Sequence, residues 1–74
     1  MWVLDNHSVA RNLKYAHQMR DQQRTSTVLG KYWTVEVQMI SGAGSPFDVG
    51  QCVGDEGQAE ARELMQRLMN GETP

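Results

Sequence analysis

Tyr32-Trp33-Thr34-Val35-Glu36-Val37-Gln38-Met39-Ile40 is the stretch that decides the fold. Trp33, Val35, Val37 and Met39 alternate with Thr34, Glu36 and Gln38, and side chains two residues apart share one face of a strand. The pattern predicts a strand with one apolar side turned to a core. Its other side, carrying Tyr32, Thr34, Glu36, Gln38 and Ile40, is expected to face solvent.

Downstream of that strand, Ser41-Gly42-Ala43-Gly44-Ser45-Pro46 contains no apolar residue larger than alanine and reads as a flexible hairpin connection. Phe47 to Val53 predicts a further strand, with Phe47 and Val49 inward and a bulge at Gly50 that shifts the phase at Cys52 and Val53. Gly54 ends it. Asp55 with Gln58 three residues on suits a helix N-cap and a variant capping box. The helix that follows buries Ala61, Leu64, Met65 and Leu68, with Met69 on the margin. Glu56, Glu60, Glu63 and Arg67 lie opposite, and Glu63 is placed to pair with Arg67 one turn later. Asn70-Gly71 closes the helix, and Glu72-Thr73-Pro74 is expected to fray.

Upstream, Thr25 to Leu29 is rich in β-branched residues and predicts a short strand, joined to Tyr32–Ile40 by a two-residue turn at Gly30-Lys31. Before it, Val9, Leu13, Ala16 and Met19 are spaced four, three and three apart, which predicts an amphipathic helix from about residues 6–9 to 21–24. Asp5, Asn6 and Ser8 are competent caps for its start. Its outer side would carry His7, Arg11, Lys14 and Gln18. Trp2-Val3-Leu4 reads as an edge strand or a cap over the core. The expected class is therefore α+β in the order α-β-β-β-α: a three-stranded antiparallel sheet with two helices packed on the face of Trp33, Val35 and Val37.

A chain of 74 residues, 39% hydrophobic and 22% charged, supports one small core and forms a single domain, residues 1–74. So lean a core gains from covering another apolar face, which makes a homodimer or a larger partner an expectation. Cys52 is the only cysteine, so no intrachain disulfide forms and a reducing compartment is indicated. No apolar run approaches the ~18 residues of a membrane span, and Met1 to Leu4 is too short for the apolar part of a signal peptide. A soluble cytoplasmic protein is expected. Met19, Met39, Met65 and Met69 read as adaptable core filler.

The residue types that carry chemistry do not assemble. His7 and His17 would stand roughly 15 Å apart along the expected helix, too far to share a metal. Neither forms a local nucleophile signature with Cys52. Glu56, Glu60 and Glu63 on an exposed helix face read as solvated. Gly42, Gly44, Gly50 and Gly54 lack a following phosphate-binding lysine, and Asp55 and Glu56 stand where a phosphate would sit. No catalytic residue, metal site or cofactor is expected, and the chain reads as non-enzymatic.

The net charge of −2 hides an asymmetry. Residues 1–31 hold five cations against two acids, and residues 32–74 two cations against seven acids, so the halves carry +3 and −5. Such a split orients an incoming partner, holds the two halves of the chain together, or drives head-to-tail association.

The expected order helix, three strands, helix, with Trp33-Thr-Val-Glu-Val37 in a strand and Gly50-Gln-Cys-Val-Gly54 leading into a helix with Ala59 and Ala61, resembles the double-stranded-RNA-binding domain. That family holds phosphates with a lysine cluster at the start of its last helix, where this chain has Asp55, Glu56, Gly57 and Gln58. The resemblance thus implies the fold without the contacts that supply RNA affinity, and direct nucleic-acid binding is not expected from it. In size and style the chain also resembles small proteins encoded by phages and mobile elements, including inhibitors of CRISPR defence. That likeness implies a regulator or inhibitor that covers the surface of a protein or nucleoprotein complex. The residues expected to touch the partner are Tyr32, Glu36 and Ile40 on the open strand face, or Glu56, Glu60 and Glu63 on the last helix. An alternative reading is nucleic-acid binding through Arg11, Lys14 and Arg24 of the basic first helix. A self-assembling structural subunit is a third.

Overall fold

A computed structural model describes residues 1–72. The chain runs β1 (Trp2–Leu4), β2 (Ala10–Asn12), a 3₁₀ turn (Leu13–Tyr15), β3 (Ala16–Ser26), β4 (Gly30–Met39), β5 (Phe47–Cys52) and α1 (Gly57–Met69). β1 and β2 form a two-stranded antiparallel hairpin, while β3, β4 and β5 form an antiparallel meander in that spatial order. The class is α+β with a three-stranded antiparallel sheet, as the alternation at Tyr32–Ile40 predicts. The expectation of two helices on that sheet is overturned, because only α1 packs there and the first helix does not exist.

The physical reason lies in β3. Gln18, Arg20, Gln22 and Arg24 occupy one of its faces and Met19, Asp21 and Gln23 the other, so the segment has no period-two apolar signal. It is a strand because ladder pairing to β4 runs from Gln18↔Gln38 to Ser26↔Gly30 without interruption, and such pairing overrides the helix preference of Gln, Arg and Met. The four-three-three spacing of Val9, Leu13, Ala16 and Met19 is split among a turn, a 3₁₀ turn and a strand. The β3–β4 turn also sits earlier than Gly30-Lys31. Residues 27–29 make it, with the Ser26 hydroxyl accepting from the backbone N–H of Val28 and Leu29, and Gly30 takes φ 71° to re-enter the ladder.

The core lies between the sheet and α1. Val35 and Val37 are fully buried, flanked in register by Val49 and Phe47 of β5, with Ala61 and Leu68 of α1 above and Val3 of β1 closing one end. Leu64 and Met65 pack at the margin and Met69 is exposed, close to the expected stripe. The Glu63–Arg67 pair forms at 2.9 Å. The helix starts differently from expectation. Glu56 is the N-cap residue, without a side-chain cap bond, and the Gln58 amide reaches across to donate to Asp21. Gly57 is buried because the helix enters hard against the sheet: a Cβ there would stand 2.6 Å from the Cys52 carbonyl oxygen and 3.1 Å from Trp33. Fraying at Glu72-Thr73-Pro74 concerns, from Thr73 on, residues outside those described.

Candidate functional site

The sheet face away from α1 is where the strand pattern predicts exposure. It is covered. Thr34 has no exposed surface and Glu36 is 8% exposed, which overturns the reading of both as freely solvated. The Glu36 carboxylate accepts from Arg20 Nε and Gln38 Nε2 at 2.8 Å each and from Arg24 Nη2 at 2.6 Å. Arg24 Nε also donates to Asp48 at 3.1 Å. Thr34 donates to the Val49 carbonyl and accepts from Asn6, whose amide also donates to the Gly50 carbonyl at 2.8 Å. A polar lattice thus covers the face that the alternation leaves open to solvent.

Its electrostatics follow from saturation. The hydrogen bond from Gln38, with those from Arg24 and Arg20, holds the Glu36 carboxyl below its ordinary value against the opposing pull of burial. Arg24 is driven further into its charged form by the hydrogen bonds it donates to Asp48 and Glu36. Asp5 anchors the β1–β2 turn by accepting from the Val9 and His7 amides and from Arg11 Nε, bonds that likewise lower its pKa. A cleft of about 310 Å³ opens between the two groups, lined by Asp5, His7, Arg24, Tyr32, Glu36 and Asp48. Three acids, Asp5, Glu36 and Asp48, meet three arginines, Arg11, Arg20 and Arg24, so this face holds no excess charge.

Across the molecule the same pairing holds. Arg11, Arg20, Arg24, Arg62 and Arg67, all five arginines, are engaged with carboxylates. The +3 and −5 halves are folded onto each other through Arg20 and Arg24 on Glu36 and Asp48, and through Arg62 on Asp21. Among the described residues, Asp55, Glu56, Glu60, Glu72, Lys14 and Lys31 stand outside these pairs.

The two sets of residues expected to touch a partner lie on opposite sides of the sheet. Tyr32 lines the charged cleft, half-buried, and Glu36 lies inside the polar lattice. Glu56, Glu60 and Glu63 are exposed on α1, which packs on the opposite face. Of the nucleic-acid candidates, Arg11 is bound to Asp5 and stacks 5.2 Å over the Phe47 ring, and Arg24 is bound to Glu36 and Asp48. Lys14 is exposed beside Tyr15. His7 in the β1–β2 turn, His17 in β3 and Cys52 in β5 sit on separate elements. Burial, then the charge of Glu60, pushes the Cys52 thiol up, away from the reactive thiolate.

Ile40 belongs to a surface that the sequence reading missed. Trp2 and Tyr15 line one shallow cleft of about 190 Å³, together with Ala10, Met39 and Ala43. Tyr15, Ile40 and Ala43 line a second of about 360 Å³, so the two share a wall. Trp2 is 63% exposed, Tyr15 42% and Ile40 45%. The signal was available at the N-terminus: in Trp2-Val3-Leu4 only the middle residue turns inward, which leaves both neighbours outside.

Set against protein-family models, curated proteins and solved structures, the chain matches none of them. No helix among the described residues is long and apolar enough to cross a membrane.

Proposed function

We propose that the chain is a small non-enzymatic protein-binding regulator or inhibitor that acts by occupying a partner's surface through its Trp2–Tyr15–Ile40 end. The observation that carries this reading is the joined pair of apolar clefts around Tyr15, with tryptophan, tyrosine and isoleucine side chains standing exposed beside one another. Exposed aromatic residues grouped at a shallow concavity are the residue type and shape that dominate protein interfaces. The occupant is a protein that presents an apolar side chain to these clefts. The engagement of every arginine in an internal ion pair supports a protein partner over nucleic acid, since phosphate binding needs cations with no competing carboxylate.

Affinity capture from the native host tests the reading, with wild type compared against Trp2→Ser/Tyr15→Ser. A specific protein retained by wild type and lost by the double variant is the expected result. Recovery of nucleic acid alone, falling steeply with salt and weakened by Lys14→Ala, would overturn it.

A further inference from the structure

β3 has no strand along its outer side among the described residues, and it is the longest strand of the molecule. Free edges of this kind are normally blunted by lysine, proline, a bulge or an unpaired charge. From Gln18 to Ser26 β3 contains no lysine, proline or glycine, and its ladder to β4 is unshifted. Its charges are already neutralised within the chain: Arg20 and Arg24 by Glu36 and Asp48, Asp21 by Gln58 and Arg62. Nothing on this edge repels another strand.

We propose that the outer edge of β3 pairs antiparallel with β3 of a second copy about a two-fold axis at Gln23, joining two meanders into one six-stranded sheet. Charge and the extent of the regular ladder together select the register, since an axis at Thr25 keeps only Arg24 to Ser26 within the strand. An axis at Arg20, Asp21 or Arg24 sets that residue against itself, and an axis at Gln22 sets Arg20 against Arg24. An axis at Met19 leaves the regular ladder at once, because the register shifts between Ala16 and Gln18. Centring on Gln23 places Gln22 opposite Arg24, Asp21 opposite Thr25, and Arg20 opposite Ser26, each an opposition able to hydrogen-bond.

A second observation fits the same register. The β3–β4 turn carries Val28, 88% exposed, and the exposed Leu29. At the far end of β3, Ala16, His17, Gln18 and Met19 line a cleft of about 300 Å³ with Met69 of α1. With Gln23 on the axis, residues 27–29 of one copy fall opposite residues 19–17 of the other. Each copy's apolar turn then meets the other's methionine cleft, once on each side of the axis. The Trp2–Tyr15–Ile40 end takes no part in this pairing.

Sedimentation velocity into the high micromolar range tests the proposal, together with position-specific cross-linking. Wild type is expected to dimerise. Gln23→Lys, at an exposed position, places two ammonium groups face to face and should weaken the dimer about tenfold without changing the circular dichroism of the monomer. In a Cys52→Ser background, Gln23→Cys should form a disulfide-linked dimer on mild oxidation. A wild type that stays monomeric would overturn the proposal. So would a dimer that tolerates Gln23→Lys but is lost in Trp2→Ser, an outcome that moves self-association to the aromatic end.

Discussion

The two edges of the sheet are built in opposite ways. Outside β5, the Asn6 backbone N–H donates to the Asp48 carbonyl at 2.9 Å and the Asn6 side chain to the Gly50 carbonyl, while Gly50 itself, at φ 90°, bends the strand out of regular pairing. A Cβ at Gly50 would stand 2.5 Å from Leu64, so the same bend brings the helix close. Outside β3 the backbone runs straight, and polar side chains stand on both faces. One edge is closed by the chain's own N-terminal turn, the other left regular and accessible. The difference teaches that the hairpin β1–β2 substitutes for a fourth strand on one side only, so the sheet is complete at β5 and extendable at β3.

The largest effect expected from breaking this arrangement is at Glu36, which sits on β4 between the two edges and ties β3 to it through Arg20 and Arg24, the latter bridging on to Asp48 of β5. Glu36→Ala leaves Arg20 and Gln38 without this acceptor and Arg24 with Asp48 alone, beside a buried gap. Removing one partner of a fully buried pair costs about 3–5 kcal/mol, and the partial exposure of both arginines lowers that to about 2–3 kcal/mol in urea unfolding. Acid should act on the same bonds. The folded pKa of Glu36 and that of Asp21 lie below their ordinary values of 4.5 and 3.8, so the unfolded chain binds protons first as pH falls. Their contribution is whole at neutral pH and is lost as pH drops through the ordinary carboxylate range towards the folded values. Thermal melts from pH 7 to pH 3 should show this decline, and Glu36→Gln should remove the share of Glu36 while leaving those of Asp21 and Asp5.

Asn6→Ala opens the closed edge alone. It removes the donor to the Gly50 carbonyl and the contact with Thr34, at a cost of about 1–2 kcal/mol. Hydrogen exchange should speed up at the backbone amide of position 6 and along β5 while β3 is unchanged. Acceleration in β3 instead would mean that the hairpin supports the whole sheet and not one edge.

How far the sequence discloses this arrangement depends on whether a face is apolar. β4, β5 and α1 each bury a continuous stripe, and Val35, Val37, Phe47, Val49, Ala61 and Leu68 announce themselves by spacing. β3 does not, because its partners are polar: Asp21 faces the helix and is satisfied by Gln58 and Arg62, and Arg20 and Arg24 face Glu36. A strand whose two faces are both solvated by its neighbours' side chains has no hydrophobic period to read. The same blindness hid the burial of Thr34 and Glu36, since alternation assigns polar residues outward and cannot foresee that Asn6, distant in sequence by 28 residues from Thr34, closes over Thr34, or that Arg20 and Arg24 close over Glu36. Of the expected contact residues, Ile40 lies on the aromatic surface because it extends past the end of β4, while Trp2 and Tyr15 come to it through the hairpin, a pairing that local pattern does not encode.

The smallest effect is the most discriminating. Thr25→Ala removes an exposed hydroxyl from the open edge, and in the monomer the change in unfolding free energy should stay within about 0.5 kcal/mol, as at surface positions without partners. Measured at high protein concentration, where copies pair through β3, the same substitution deletes the group facing Asp21 across the axis, and the variant should melt below wild type by a margin that grows with concentration. The concentration dependence separates the two edges, since Asn6→Ala acts within one chain and costs the same at every concentration. A loss at Thr25 that is already full in dilute protein would mean that the outer side of β3 is held by its own chain, and the contrast between a closed and an extendable edge would disappear.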